Sequence, residues 1–461
     1  MTADRGGADW PLAAAVATAV VACVLAAVSL GRDGLPDRAQ AGTNMAELVP
    51  ANVLVYVHTS LDTGRDKVQQ LAAEASRFPG YVGLRKRIVR DLTSPDCRRA
   101  TAALRTAADA SLSLFQTRNG SAVSLLLIDQ GGSRPTADLR RCGALYAENV
   151  GDMLAIGQKQ ALAVAAALHD GRGASLADSA AAKAQFARLP EARVVDGWAS
   201  VDGVRRLLAP QRGVLGFVGV TLDQPALRGL AFSLAPADRG AALAVRSALK
   251  TRPATPVASL NDVLSHVPTD VLAAFSTQRL GTSLDRVGGA LAGAGGGAGV
   301  LAALPKGVVG LFDRPTSVVL QSAKPAPVMT LLTTTSDEAA ARRTLATIKP
   351  KLRAVFPARV KNGYVALATR PAGLALLDTP SAPLQESDPW RATIGAGSPK
   401  GASSLLFLDF SKLLTLAEQT GLGTDPAYQS VRPDLGRIQA AGARISSSAS
   451  ESTVDLTLLI P

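Results

Sequence analysis

The chain has 461 residues, of which 47% are hydrophobic and 19% are charged, with a formal net charge of +12. This composition supplies enough apolar side chains for packed cores and excludes a wholly disordered chain, and the length allows two or three domains. Three cysteines exclude a disulfide-dense scaffold, three histidines leave little room for a histidine-rich metal site, and 4% aromatic residues argue against a stacking surface for single-stranded nucleic acid.

The first predicted element is a transmembrane helix at residues 10–30. It begins with Trp10, and residues 11–30 contain no charged side chain. A helix of about 20 residues spans about 30 Å, which matches the hydrocarbon core of a bilayer. Residues 1–9 are then expected to form a short tail, and residues 31–46 a linker.

Two processing events compete with a permanent anchor. Residues 39–41 (AQA) resemble a signal-peptidase site but lie well beyond the apolar run, and residues 20–23 (VVAC) resemble a lipobox although the run continues after Cys23. We favour an uncleaved anchor, which would place a single-pass protein in the cell membrane with its C-terminal bulk outside the cytoplasm. The flanking arginines give this orientation little support. The lipid bilayer is the expected partner of residues 10–30.

The remainder of the chain contains an internal repeat. Residues 49–54 (VPANVL) are echoed by residues 267–272 (VPTDVL), and residues 153–156 (MLAI) by residues 364–367 (YVAL). Because the landmarks recur in the same order, we predict two similar domains, residues 47–255 and residues 256–461.

Each predicted domain combines strands with helices. Residues 67–76 and the segment after Asp337 have helical patterns, the first with a stripe of apolar side chains and the second with a capping residue. The strand-like runs are residues 53–57, 122–128, 328–334 and 454–460. Strand runs often follow one another without an intervening helix. The predicted fold class is therefore α+β with largely antiparallel sheets, after the transmembrane helix, rather than a parallel α/β fold.

Two stretches of the sequence are similar to a known family. Residues 48–57 with the helix after them, and residues 175–178 leading to Phe186 and Asp202, resemble an actinobacterial family catalogued as domain of unknown function 3352. The resemblance covers most of the chain after residue 45. It implies a membrane-anchored, extracytoplasmic protein, and it implies no catalytic residues.

No catalytic or nucleotide-binding motif is complete in this sequence. The GxSxG, HExxH, CxxC and Walker A patterns are absent, and Ser247 with Lys250 matches SxxK without its companion motifs. His58, His169 and His266 are scattered, and none recurs at an equivalent position in the other copy. We therefore predict no enzyme activity, no cofactor and no metal. The expected role is binding or scaffolding at the cell envelope, with an uncharacterised hydrolase or a carrier of an apolar, lipid-like ligand as alternatives.

Two further features carry site predictions. Cys97 and Cys142 could pair in an oxidising exterior, or remain as two reduced thiols. A basic stretch, residues 77–105, has eight basic side chains against two acidic ones. Its possible anion-binding patch, for anionic lipid headgroups or envelope polymers rather than nucleic acid, consists of Arg85, Lys86, Arg87 and Arg90. A solvated helix face is the alternative interpretation of the patch.

Overall fold

The computed structural model divides the chain into two compact units, the first up to Thr251 and the second from Arg252. The sequence had placed this boundary between residues 255 and 256. The residues that the structure describes are 42–62, 64–80, 107–117, 120–129, 140–142, 145–208, 226–250, 258–278, 280, 306–324, 326–348, 350, 356–378, 382–395 and 401–461.

Unit 1 is built around an antiparallel sheet with the strand order β4-β5-β6-β3-β2-β1-β7-β8-β9. Its strands are β1 (Val55–Ser60), β2 (Asp109–Gln116), β3 (Ala122–Asp129), β4 (Arg140–Cys142), β5 (Leu145–Val150), β6 (Met153–Gly157), β7 (Val195–Ser200), β8 (Leu227–Ala237) and β9 (Gly240–Leu249). Its helices are α1 (Gly42–Glu47), α2 (Asp66–Ser76), α3 (Lys159–His169), α4 (Ala180–Phe186) and α5 (Val201–Gly203), with a 3-10 turn at Leu176–Asp178 and a π-helical turn at Val204–Leu208.

The two faces of this sheet carry separate cores. Side chains alternate along each strand, so Tyr56 and Trp198 lie on one face and Val57 lies on the other. The Tyr56 face packs against α1, α3 and α4, and the Val57 face packs against Val68 and Leu71 of α2. Helix α1 contributes buried side chains to the first core, so packed structure begins within the segment assigned to a linker, before residue 47.

Unit 2 has an antiparallel sheet with the order β13-β14-β12-β11-β10-β15-β16-β17. Its strands are β10 (Val271–Thr277), β11 (Thr316–Gln321), β12 (Val328–Thr334), β13 (Ala358–Lys361), β14 (Tyr364–Ala368), β15 (Ser404–Asp409), β16 (Ala440–Ser447) and β17 (Glu451–Leu459). Its helices are α6 (Asn261–Leu264), α7 (Lys306–Gly310), α8 (Glu338–Ala346), α9 (Asp388–Thr393), α10 (Phe410–Gln419) and α11 (Pro426–Leu435), with 3-10 turns at Pro371–Leu377, Leu384–Glu386 and Leu422–Thr424.

The two sheets have the same connectivity apart from β4 at the edge of unit 1. Strands β1, β2, β3, β5, β6, β7, β8 and β9 occupy the places of β10 to β17 in turn. An isolated bridge ties the segment before the first strand to the turn before α4 or α9, at Pro50 and Ser175 in unit 1 and at Pro268 and Pro383 in unit 2. Residues at matching positions of the two units can therefore be compared directly.

The predicted fold class was wrong. In the described residues, antiparallel strands dominate both units and helices are secondary, and no transmembrane helix is found among them, so the α+β assignment with a leading transmembrane helix is not what these residues form. The longest strands in the described residues, β8 and β9, arise from residues 227–249, for which the sequence analysis gave no strand limits. These segments are rich in alanine, which favours helices locally, but their alternate burial against the sheet overrides that preference.

Several predicted elements do form. Strand β12 coincides with the predicted strand 328–334, α2 covers the predicted helix 67–76, and Asp337 caps α8 by accepting a hydrogen bond from the Ala340 amide at 2.8 Å. The carboxylate of Asp409 caps α10 by accepting a hydrogen bond from the Lys412 amide at 3.1 Å. The matching cap in unit 1 is Ser200.

The described residues do not include residues 1–41. These contain the predicted tail, the predicted transmembrane helix at residues 10–30 and most of the predicted linker. In the part of the chain that is described, no helix has the length and apolar character needed to cross a bilayer. The predicted membrane location therefore stays a prediction.

Candidate functional site

A cavity of about 830 Å³ lies in unit 1, between the sheet and the segments that cover it. Its floor is formed by side chains of β1, β2 and β7, and its walls come from α1, the end of α3, the 3-10 turn and α4. The wall combines apolar side chains with exposed charged ones, whereas the floor carries buried charged groups. The cavity lining is therefore mixed, and its leucine and phenylalanine side chains all belong to the wall.

The floor is centred on His58, in the middle strand of three. Its Nε2 lies 3.1 Å from Oδ1 of Asp109 on β2, and its Nδ1 lies 3.2 Å from Oδ1 of Asp196 on β7. The three residues are 8%, 6% and 9% exposed. Two carboxylate partners require a proton on each ring nitrogen, so His58 is an imidazolium that joins three neighbouring strands.

Arg193 completes this cluster. Its Nε donates to Oδ2 of Asp196 at 2.7 Å, and its Nη1 donates to the Pro190 carbonyl at 3.0 Å. Two cations therefore face two carboxylates, which leaves the four side chains with no net charge. We call His58, Asp109, Asp196 and Arg193 the ion cluster.

The pKa values of the buried groups follow from this arrangement. Burial alone would lower the pKa of His58, but the hydrogen bonds and charges of Asp109 and Asp196 outweigh it and raise the pKa to about 9. Burial alone would raise the pKa of Asp196, yet His58 and Arg193 hold it below its usual value. Burial, followed by the negative charge of Asp196, raises the pKa of Tyr56 well above its usual value. At neutral pH, His58 is therefore protonated, Asp196 is ionised and Tyr56 is uncharged.

The cavity wall is formed by local structure that the sequence encodes. Ser175 and Asp178 form a capping box, in which Oδ2 of Asp178 accepts from the Ser175 amide at 3.0 Å and from its hydroxyl at 2.7 Å. Helix α4 follows, and Phe186 at its end meets Tyr56 edge to face, with ring centroids 6.4 Å apart. The conspicuous motif at residues 175–178 therefore shapes one side of the cavity.

The matching positions of unit 2 lack the ion cluster. His58 faces Ser111 and Asp196 across the ladder, and Ser276 faces Ser317 and Leu405 in the same way. Counting along the strands from these pairs gives the equivalents of the cluster. The residues in unit 2 are Ser276 for His58, Pro315 for Asp109, Ala402 for Arg193 and Leu405 for Asp196.

The arrangement does not fit acid-base or nucleophilic catalysis. Both nitrogens of His58 are committed to carboxylates, so neither is free to take a proton from a nucleophile. Ser247 and Lys250 of the SxxK match lie in β9 and directly after it, and neither lines the cavity. Within the described ranges, no group of three or more His, Cys, Asp or Glu side chains is placed to hold a metal ion.

The sites proposed from the sequence fall elsewhere. Cys97 and the basic patch of Arg85, Lys86, Arg87 and Arg90 lie outside the described residues, and Cys142 lies in β4. These predictions stay untested. The sequence analysis missed the ion cluster, because His58 was interpreted as one of three scattered histidines. The useful sign was that a histidine within a strand-like run has a serine, Ser276, at the repeated position.

Comparison with known proteins adds no family or relative, since no family model, curated protein or solved structure matches this chain.

Proposed function

We propose that unit 1 is a non-catalytic binding module that holds a small amphiphilic ligand in its cavity. The supporting observation is a cavity of about 830 Å³ that brings leucine and phenylalanine side chains of its wall together with charged groups of its floor. Ligand-binding pockets typically measure about 300–1,000 Å³ and combine apolar lining with a few placed polar groups. The size and lining of this cavity fit that description.

The ion cluster supports the proposal because the fold alone does not require it. Unit 2 has the same strand connectivity with Ser276 and Leu405 in place of His58 and Asp196. Burying charged groups has a large desolvation cost, and neutral side chains often stabilise a core as well as an ion pair does. A costly cluster found in one of two matching units, beside a cavity, is more consistent with binding than with folding.

A substitution at the cavity wall tests this function. Ala187 is exposed, directly follows α4 and lines the cavity, whereas Ala181 is exposed in the first turn of α4 and does not line the cavity. We expect Ala187→Trp in the full chain to weaken the binding of laurate or dodecanol at least about tenfold, a loss of about 1.4 kcal/mol. Isothermal titration calorimetry and native mass spectrometry measure this change.

The matched control is Ala181→Trp, which adds the same indole near the other end of α4 and should leave the affinity unchanged. Circular dichroism would establish that both variants remain folded. Equal affinities for the two variants, or no binding of either amphiphile by the unsubstituted chain, would contradict the proposed function.

A further inference from the structure

Arg65 is a cation at the cavity floor that the ion cluster does not use. Its Nη1 donates to the Ser60 hydroxyl at 3.1 Å, and Ser60 is only 2% exposed. The guanidinium therefore lies against the cavity floor although Arg65 as a whole is half-buried. No carboxylate among the described residues forms an ion pair with it, so most of its N–H donors are available to a ligand.

The other charged side chains of the cavity are either balanced by a buried partner or exposed to water. Asp109 and Asp196 are balanced by His58 and Arg193. Asp178 is exposed and accepts the two hydrogen bonds from Ser175, while Glu47, Glu191 and Lys183 are exposed, where water screens their charges. Arg65 is thus the cation without a carboxylate partner that lies closest to the buried floor in the described part of the cavity.

Four apolar side chains of the wall lie within the same cavity as Arg65. Leu168, Leu176, Phe186 and Leu189 line it, and Leu176 and Leu189 are buried. A guanidinium has a planar array of donors that matches a carboxylate or a phosphate, and aliphatic and aromatic side chains favour a hydrocarbon chain. The two surfaces together fit a molecule with an acidic head and an apolar tail.

We infer that the cavity of unit 1 takes an anionic amphiphile, with its carboxylate or phosphate on Arg65 and its hydrocarbon chain along α4 and the 3-10 turn. This inference rests on the proposed function and specifies the ligand class of the same cavity. The contact between Arg65 and the acidic head is formed only by an ionised ligand. A neutral alcohol of the same chain length can accept a hydrogen bond from Arg65 but forms no ion pair with it.

Three probes with one chain length separate these contributions. Laurate carries a carboxylate, dodecyl phosphate carries a phosphate, and dodecanol carries a neutral hydroxyl. We expect the full chain to bind at least one acid about tenfold more tightly than dodecanol, and Arg65→Gln to abolish that preference while leaving dodecanol binding unchanged. Arg65→Lys, which keeps the charge and loses the planar donor array, should retain part of the preference. The tighter of the two acids identifies the headgroup.

The control variants are Arg172→Gln and Lys183→Gln. Arg172 lies between two glycines that line the cavity, but it pairs with Asp170 and its side chain is 70% exposed. We expect both controls to keep the preference for the acid. Dodecanol binding as tightly as both acids, or a loss of preference in Lys183→Gln and not in Arg65→Gln, would overturn the inference while leaving the proposed function intact. Failure of all three probes to bind would instead overturn the proposed function.

Discussion

Unit 1 and unit 2 share the order and pairing of eight strands, but the equivalent faces of their two sheets carry different side chains. We call the three residues that face one another across the central strands the central row. In unit 1 this row is Ser111, His58 and Asp196, and in unit 2 it is Ser317, Ser276 and Leu405. The Ser276 and Ser317 hydroxyl oxygens lie 2.7 Å apart and form a hydrogen bond between two uncharged groups. The backbone architecture therefore tolerates both a charged and a neutral row, and the charged row is a feature of unit 1 alone.

The packing beside this row differs in a complementary way. Ser179 and Ser387 cap α4 and α9 by accepting hydrogen bonds from the amides of Ala182 and Trp390, so these two residues are equivalent. On the sheet, Tyr56 and Trp198 of unit 1 correspond to Ala274 and Phe407 of unit 2. Each unit thus combines one alanine with two aromatic residues, but the alanine is on the helix in unit 1 and on the strand in unit 2. The same space is filled from opposite sides.

The largest expected effect comes from removing the central cation alone. His58→Ser introduces the residue of unit 2 but leaves Asp109 buried without a cation, and breaking a buried ion pair costs about 3–5 kcal/mol. We expect a loss of that size in the free energy of unfolding of unit 1. Hydrogen exchange of amides in β1, β2 and β7 measures it, with β10, β11 and β15 as the internal reference.

The complete exchange is the control for this prediction. His58→Ser, Asp109→Asn, Arg193→Ala and Asp196→Leu together remove all four charges, and asparagine is used because proline would lack the amide proton of a central strand. The combined variant should lie within about 2 kcal/mol of the unsubstituted chain, since no unpaired charge remains. A combined variant as unstable as His58→Ser alone would mean that the cluster is required by the fold of unit 1.

A pH titration gives the next largest effect. The pKa of His58 is about 9 in the folded chain and 6.5 when unperturbed, so its stabilisation is fully present below pH 6.5 and is lost as the pH rises through about 9. The corresponding loss is about 3 kcal/mol. Asp196 acts in the opposite direction, because its lowered pKa gives stability that is lost on acidification. Hydrogen exchange, corrected for its intrinsic pH dependence, should record destabilisation of unit 1 relative to unit 2 between pH 6.5 and 9. The combined four-residue variant should record no such difference.

The smallest effect concerns the exchanged aromatic packing. Ala182→Trp places the indole of unit 2 into a core that already holds Tyr56 and Trp198, and overpacking costs about 1–3 kcal/mol. Adding Tyr56→Ala and Trp198→Phe reproduces the set of unit 2 and should recover most of that loss. Thermal unfolding followed by near-UV circular dichroism provides the comparison. If the triple variant were less stable than Ala182→Trp, the two packing arrangements would not be equivalent.

Local signals explain which parts of the fold were predictable. Residues 328–334 combine β-branched and aliphatic side chains, and they form β12 with those limits. Asp337 is a favourable N-cap residue, and it caps α8. The limits of β8 and β9 were not predicted because the alanines of these segments have weak strand preference. Their burial depends on β7, which is a separate segment of the chain.

The candidate site was less predictable for the same reason. His58 lies 51 residues from Asp109 and 138 residues from Asp196, so no spacing rule connects the three. Asp178 and Ser175 are three residues apart, and their motif was visible in the sequence although its role at the cavity was not. Arg65 was not singled out either, because only its contact with Ser60 places it at the cavity floor.

The sequence by itself determined the short-range features of this protein: the helix caps, several strands, the repeated landmarks and the absence of complete catalytic motifs. These depend on neighbouring residues, whose preferences act within a few positions of the chain. Only the tertiary structure decided which distant carboxylates meet His58, which helix covers them and where an open cavity is left. Those contacts form when strands from separate segments pair in one register, and the charged partners that this pairing brings together then set the protonation state of His58 and Asp196.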